Sequence, residues 1–135
     1  MNEKILLNSI FSLNKIAVVG MSANANRPSH QIGFYLRKQG YNIYPVNPNY
    51  NKIDELKCFS DVKEIKDSID IINIFRHPDH VLPIVNDSIK INPKVIWFQD
   101  GVVNCEAIDL ANKNGIQTIV DDCIYKRHKV YINST

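Results

Sequence analysis

The sequence predicts a doubly wound α/β domain, and two observations carry that prediction. Short runs rich in Val and Ile alternate with segments whose apolar residues recur at helical spacing, from one end of the chain to the other. The runs are continuously apolar rather than alternating, the pattern of strands buried on both faces of a parallel sheet.

Taken in order, Asn2 to Leu13 predicts a short amphipathic helix against the sheet edge, an N-terminal extension spanning residues 1–14. Lys15 to Gly20 (KIAVVG) reads as a buried strand ending in Gly. Ser29 to Gln39 is helical, with Ile32, Tyr35, Leu36 and Gln39 on one face, Pro28 and Ser29 as start signals and Gly40 as the stop. Tyr41 to Val46 is a second strand, closed by Pro45 and Pro48. Asn49 to Ser60 is polar and reads as a loop with little regular structure, and Asp61 to Lys66 as a single helical turn. Asp70 to Phe75 is the third strand, and Pro78 to Ile91 a helix with Val81, Leu82, Val85 and Ile89 on one face. Lys94 to Phe98 is the fourth strand, Asn104 to Asn114 a helix stopped by Gly115, and Gln117 to Val120 the fifth strand. Right-handed crossovers lead to the strand order 3-2-1-4-5. The expectation is a single Rossmann-like domain over residues 1–135, with a five-stranded, mainly parallel sheet and helices on both faces.

Composition narrows the function. With 135 residues, 44% of them hydrophobic, the chain can bury a core without disulfides or a structural metal. A net charge of +2 is too small a field to advertise nucleic acid. The basic run Lys126-Arg127-His128-Lys129 reads as a solvated tail. The cysteines, Cys58, Cys105 and Cys123, follow neither a zinc pattern nor a secreted disulfide framework. No segment approaches the roughly 18 apolar residues of a membrane span, and no signal-peptide pattern opens the chain. A cytoplasmic protein with no membrane or nucleic-acid partner is expected; a homo-oligomer or a protein partner stays open.

In open α/β sheets the ligand sits outside the carboxyl ends of the strands, where strand order reverses. The strand-exit loops are Gly20–Ser29, Val46–Tyr50, Phe75–Asp79 and Gln99–Asn104. In the first, Gly20 permits a tight turn, Ser22 and Ser29 bring hydroxyls, Arg27 a phosphate-matching fork, and the following helix its free N–H groups. The alternative makes Ser29 a helix cap and Arg27 a solvated charge. The dinucleotide spacing G-x-G-x-x-G fails after Gly20, because Ser22 and Ala25 stand at the glycine positions. The second strand ends in Pro45-Val46-Asn47-Pro48 without an acidic residue for a ribose, while Lys52 and Lys57 nearby favour an extra phosphate. NAD is thereby disfavoured against NADP or coenzyme A. At the third exit Arg76 faces the site, and Phe75 either lies beside a purine or belongs to the core.

These loops resemble the stand-alone CoA-binding proteins related to the N-terminal domain of the succinyl-CoA synthetase alpha subunit. The resemblance runs from about Lys15 to His128, through Val18-Val19-Gly20-x-Ser22 with Arg27-Pro28-Ser29, Gly40-Tyr41-x-Ile43-x-Pro45-Val46-Asn47-Pro48, Asp70 to Arg76, Trp97-Phe98-Gln99-x-Gly101-Val102, and Asp121-x-Cys123 with His128 beyond. It implies coenzyme A or acyl-CoA as the small-molecule nucleotide ligand. Gly20, Met21, Ser22, Arg27, Asn47, Pro48 and Arg76 would line the diphosphate and nucleoside site, with Gln99 and Gly101 near the pantetheine arm. Asp100 brings a carboxylate beside that arm, and Met21 replaces a frequent Ala. Asp122 and Arg127 reverse a basic and an acidic position of the family, as a swapped pair would.

No catalytic machinery is legible. The histidines His30, His77, His80 and His128 lack metal or acid–base spacing and read as surface or capping residues. No G-x-S-x-G or phosphate-loop motif occurs, and Asp121–Asp122 reads as a backbone-bonding pair. Cys123 could exchange with the CoA thiol into a mixed disulfide, or be a buried, inert cysteine. The leading expectation is a non-catalytic CoA-binding carrier, sensor or partner subunit. The alternatives are a CoA-linked ligase or transferase component needing a second chain, or an NADP-binding oxidoreductase fragment.

Overall fold

The computed structural model describes residues 3–134. Its order is α1 (Glu3–Phe11), β1 (Lys15–Val19), α2 (Pro28–Lys38), β2 (Asn42–Val46), a hairpin of β3 (Lys52–Ile53) and β4 (Leu56–Lys57), β5 (Ile71–Ile74), α3 (Val81–Ile89), β6 (Val95–Phe98), α4 (Cys105–Lys113), β7 (Gln117–Ile119) and α5 (Ile124–Asn133). The main sheet is parallel with the order β2-β1-β5-β6-β7.

Counting only the five main-sheet strands, that order is 2-1-3-4-5, which corrects the expected 3-2-1-4-5. Two residues explain it. Pro45 has no N–H, and a strand carrying Pro belongs at an edge. Val18 pairs with Pro45 on the inner side, and the Pro45 carbonyl accepts outward, from Phe59 N–H at 2.9 Å. Ile71, Ile72, Asn73 and Ile74 are all fully buried, which demands neighbours on both flanks. The third strand therefore slots beside β1, and the switch point falls between β1 and β5.

Alternate residues of each strand face two cores. Ala17, Val19, Ile72, Ile74, Ile96 and Phe98 point to α3 and α4. Ile16, Val18, Ile71, Val95 and Trp97 point to the side covered by α1, α2 and α5. A side chain of Ile or Phe size, fully buried, contributes about 1.5–3 kcal/mol, so these layers supply most of the cohesion.

Other expectations change in detail. Residues 52–57 form the small β3–β4 hairpin, and Phe59 bridges to Val46 beyond it. The segment at 78–80 is a 3₁₀ turn preceding α3, and 62–64 another, capped by Asp61 accepting from Lys63 N–H. Asn2, the first residue of the expected N-terminal helix, lies outside the described residues. α1 does not sit at the sheet edge: Phe11 packs on the face, 5.8 Å from the Trp97 ring, and α1 contacts α5. The supposed solvated tail is α5, because the charges of Lys126 and Lys129 flank an inward stripe of Ile124, His128 and Tyr131.

Candidate cleft at the switch point

The exits of β1 and β5 meet at Gly20. Its φ of +87° suits glycine, and a Cβ there would lie 2.2 Å from the Phe75 carbonyl oxygen and 2.8 Å from the Arg76 Cδ. The close approach is held by Gly20 N–H donating to Val46 O and Phe75 N–H donating to Val19 O, both at 2.8 Å. A cleft of about 380 Å³ opens there, walled by Gly20, Ser22, Arg27, Pro28, Ser29, Phe75, Arg76, Gln99, Asp100 and Val102.

The loop from Gly20 to α2 is preformed by its own side chains. Ser22 N–H donates to Ser29 Oγ (2.9 Å), Asn24 N–H to Ser22 Oγ (3.0 Å) and Asn26 N–H to Asn24 Oδ1 (2.9 Å). Ser29 is thus a loop tie rather than the helix cap; Arg27 occupies the cap position, with no side chain bonding the first turn, and Pro28 follows. The N-terminus of α2 keeps its dipole and an uncapped first turn facing the cleft.

Of the four arginines in the chain, Arg37 pairs with Glu55, and Arg127 with Asp122 (2.8 Å) and Glu3 (2.7 Å). Arg27 and Arg76 have no carboxylate partner among the described residues. Two guanidiniums without a carboxylate partner among the described residues and a helix start converge on one cleft, groups of the chemistry that suits phosphate.

The remaining candidates divide. Gln99 lies in the cleft wall, buried; its Oε1 accepts from Ile124 N–H and from Asn73 Nδ2, each at 3.2 Å. Phe75 is half-buried and serves both core and cleft. Pro48 lines a smaller apolar slot of about 140 Å³ with Val19, Val46, Val62 and Ile84, which shares Arg76 with the main cleft. Beyond it, sharing Pro48 and Ser60, a further hollow of about 420 Å³ carries Tyr50, Lys57 and Lys66. Lys52 is not in its wall, and Lys57 sits 5.1 Å from the Phe59 ring centroid.

Met21, Asn47 and Gly101 are not in the cleft wall. The Met21 side chain is fully buried against Gly33, and its carbonyl accepts from Asn47 Nδ2 at 3.0 Å. Asn47 spends its other end accepting from Asn49 N–H. Gly101 N–H donates to Asp121 Oδ1 at 2.8 Å, which realises the backbone-bonding reading of that acidic pair.

Among the histidines, His77 caps its turn, its Nδ1 accepting from Asp79 N–H. His30 is buried rather than exposed and bonds Asp54 at 3.1 Å, tying the β3–β4 hairpin to α2. His128 also reverses its expected surface role: it is 2% exposed, 2.7 Å from the Tyr35 hydroxyl, and ringed by Phe11, Tyr41 and Tyr131. Burial, with Lys129 adding repulsion, holds its imidazolium form below the usual range. Cys58 is buried, its thiol pushed up by that burial, and Cys123 is buried at the start of α5. Among the described residues, no group of three His, Cys, Asp or Glu could hold a metal ion, and no helix is long and apolar enough to cross a membrane.

Fold and cleft together define a doubly wound Rossmann-like domain with an arginine-bearing groove at its switch point. The chain belongs to the CoA binding domain family, which it matches over residues 14–129. It is 36% identical over 86% of its length to the Bacillus subtilis protein YneT, covering 86% of that protein. It is 37% identical over 58% of its length to the ADP-forming acetate–CoA ligase II of Archaeoglobus fulgidus, a match spanning only 12% of the ligase. A solved structure of a Pyrococcus horikoshii hypothetical protein superposes with a TM-score of 0.94 at 31% identity, covering 97% of this chain and 93% of the other.

Proposed function

We propose that the protein binds coenzyme A, or an acylated form of it, across the switch-point cleft and works as a binding module: a carrier, a sensor or a partner subunit. The observation that carries this is the convergence of the unpaired Arg27 and Arg76 on the Gly20 turn, in a chain of the CoA binding domain family. In this reading the diphosphate lies between the two guanidiniums and the α2 start. The adenosine lies along the apolar slot beside Pro48, and the extra phosphate reaches Lys57 and Lys66. Gln99 meets the arm that leaves the other side. Three free cysteines suit a reducing, cytoplasmic setting.

Isothermal titration with CoA, acetyl-CoA, NAD and NADP under one set of conditions tests the ligand. Binding of CoA or acetyl-CoA without the pyridine nucleotides supports the reading; NADP alone would turn the site into that of a reductase. A second reading, a component of a CoA-linked ligase, draws on the partial match to the acetate–CoA ligase. It requires a copurifying chain whose addition produces CoA-dependent ligase activity.

A further inference from the structure

We propose that Asn73 is a positioning residue for the cleft. Together with the Ile124 backbone N–H it holds the Gln99 carboxamide with its donor end toward the ligand, so the group recognised there is a neutral carbonyl that accepts a hydrogen bond. This rests on the reading of the cleft as a CoA site and adds a specificity to it.

The geometry begins with a residue out of place. β5 reads Ile71-Ile72-Asn73-Ile74, and Asn73 is fully buried in the middle strand, paired with Val18 on one flank and Trp97 on the other. An aliphatic residue would fill that position without a polar group to satisfy. The Asn73 amide instead donates from Nδ2 to Gln99 Oε1 at 3.2 Å, with a longer approach to Trp97 O at 3.5 Å.

Gln99 cannot be turned round. The backbone N–H of Ile124 can only donate, so the atom 3.2 Å from it must be the Gln99 oxygen. Asn73 must then also present its nitrogen, since reversal would set two carbonyl oxygens together. The consequence is visible: Asn73 Oδ1 is buried with no hydrogen-bond partner, the one such side-chain atom among the described residues. A buried unsatisfied acceptor is destabilising, and here it accompanies a fixed orientation of Gln99. With Oε1 taken twice, Nε2 is the end that Gln99 offers from the cleft wall.

The neighbourhood selects what accepts from it. Asp100, exposed in the same wall, repels an anion at this end, whereas the guanidiniums Arg27 and Arg76 serve phosphate. A neutral donor beside a carboxylate suits an amide or thioester carbonyl of the ligand's arm.

The test compares CoA with adenosine 3′,5′-bisphosphate, which lacks the arm, on the wild type, Gln99→Leu, Asn73→Leu and the double variant. Gln99→Leu should weaken CoA by about 5-fold, the worth of one hydrogen bond, and leave the bisphosphate unchanged. Asn73→Leu, close in shape, should weaken CoA measurably but by less than Gln99→Leu, because the Ile124 N–H still holds the Gln99 oxygen, and should spare the bisphosphate. Its melting temperature should stay level or rise, because the orphaned oxygen is gone. A purely structural Asn73 would lose melting temperature and affect both ligands alike. The double variant should bind CoA no more weakly than Gln99→Leu. If Asn73→Leu does not fold, Asn73→Ala carries the same comparison. Wild-type CoA affinity in the Asn73 variants, or equal losses for both ligands, overturns the assignment while the CoA reading stands. A wild type that binds neither ligand removes that reading, and this inference with it.

Discussion

Replacing Gly20 by Ala strikes both the fold and the cleft, and the structure sets the size of the effect. Two penalties arise. A residue with a side chain at a φ of +87° is strained by about 1–2 kcal/mol. The new methyl would also stand 2.2 Å from the Phe75 carbonyl oxygen, where contacts under 3.0 Å essentially never occur. The exits of β1 and β5 must therefore separate by at least about 0.8 Å at the Val19–Phe75 hydrogen bond, an overpacking strain of about 1–3 kcal/mol. The sum, about 2–5 kcal/mol, lowers the melting temperature of a domain this size by about 7–18 °C. Because Arg76 Cδ is the next atom in the way, CoA affinity should fall too. Gly115→Ala is the control. Its φ is +75° and nothing lies within 4 Å of a Cβ, so it should show the backbone strain alone. Differential scanning calorimetry of both variants reads the difference, and titration with CoA reads the cleft. If Gly20→Ala melts no lower than Gly115→Ala, the argument that the two exits are pressed together is wrong.

Arg27→Ala and Arg76→Ala should each weaken CoA about 10-fold or more, as loss of a charge-assisted bond does, with melting temperatures near wild type; calorimetric titration checks both. Met21→Ala should do the opposite. It empties a buried site against Gly33, costing about 2–5 kcal/mol of stability by denaturant titration, with CoA binding by the folded protein nearly unchanged. The buried His128 makes stability depend on acid. Its folded value lies below the ordinary 6.5, so below that pH the unfolded chain binds the extra proton and stability falls as pH drops through the folded value. Denaturation midpoints measured from pH 7.5 down to 4.5 should show that decline, and His128→Gln, less stable at neutral pH, should show a shallower one.

What the sequence made legible followed from local rules, and what it hid depended on contacts between distant segments. The strand runs, the helix start at Pro28 and the stops at Gly40 and Gly115 are written in neighbouring residues, and the five main strands and α2 and α4 formed within a residue or two of expectation, whereas α3 starts at Val81 after a 3₁₀ turn that Pro78 opens. Strand order was not. Pro45 carried the signal for an edge, yet right-handed crossovers are compatible with either order until the full burial of Ile71 to Ile74 is seen. The place of His128 is hidden because a basic run suggests solvent, whereas helical spacing turns one residue of that run inward onto Phe11, Tyr35 and Tyr41. In the cleft, the residue types at the exits of β1 and β5 were sufficient to bring out Gly20, Ser22, Arg27, Ser29 and Arg76. Met21 and Asn47 looked equally placed by position; the direction of the Met21 side chain and the two bonds that occupy Asn47 appear only in three dimensions. Asn73 had one sequence signal, a lone amide in an otherwise aliphatic strand. Its link to Gln99, 26 positions away, had none.

The most direct test of the central claim is amide chemical-shift mapping of the ¹⁵N-labelled protein during titration with CoA. The account predicts that the largest changes fall at Gly20, Ser22, Ser29, Arg76 and Gln99, with smaller ones toward Lys57. Saturating changes confined to another surface, such as the groove along Arg37 to Tyr44 and Leu56, or no changes at all, would contradict it.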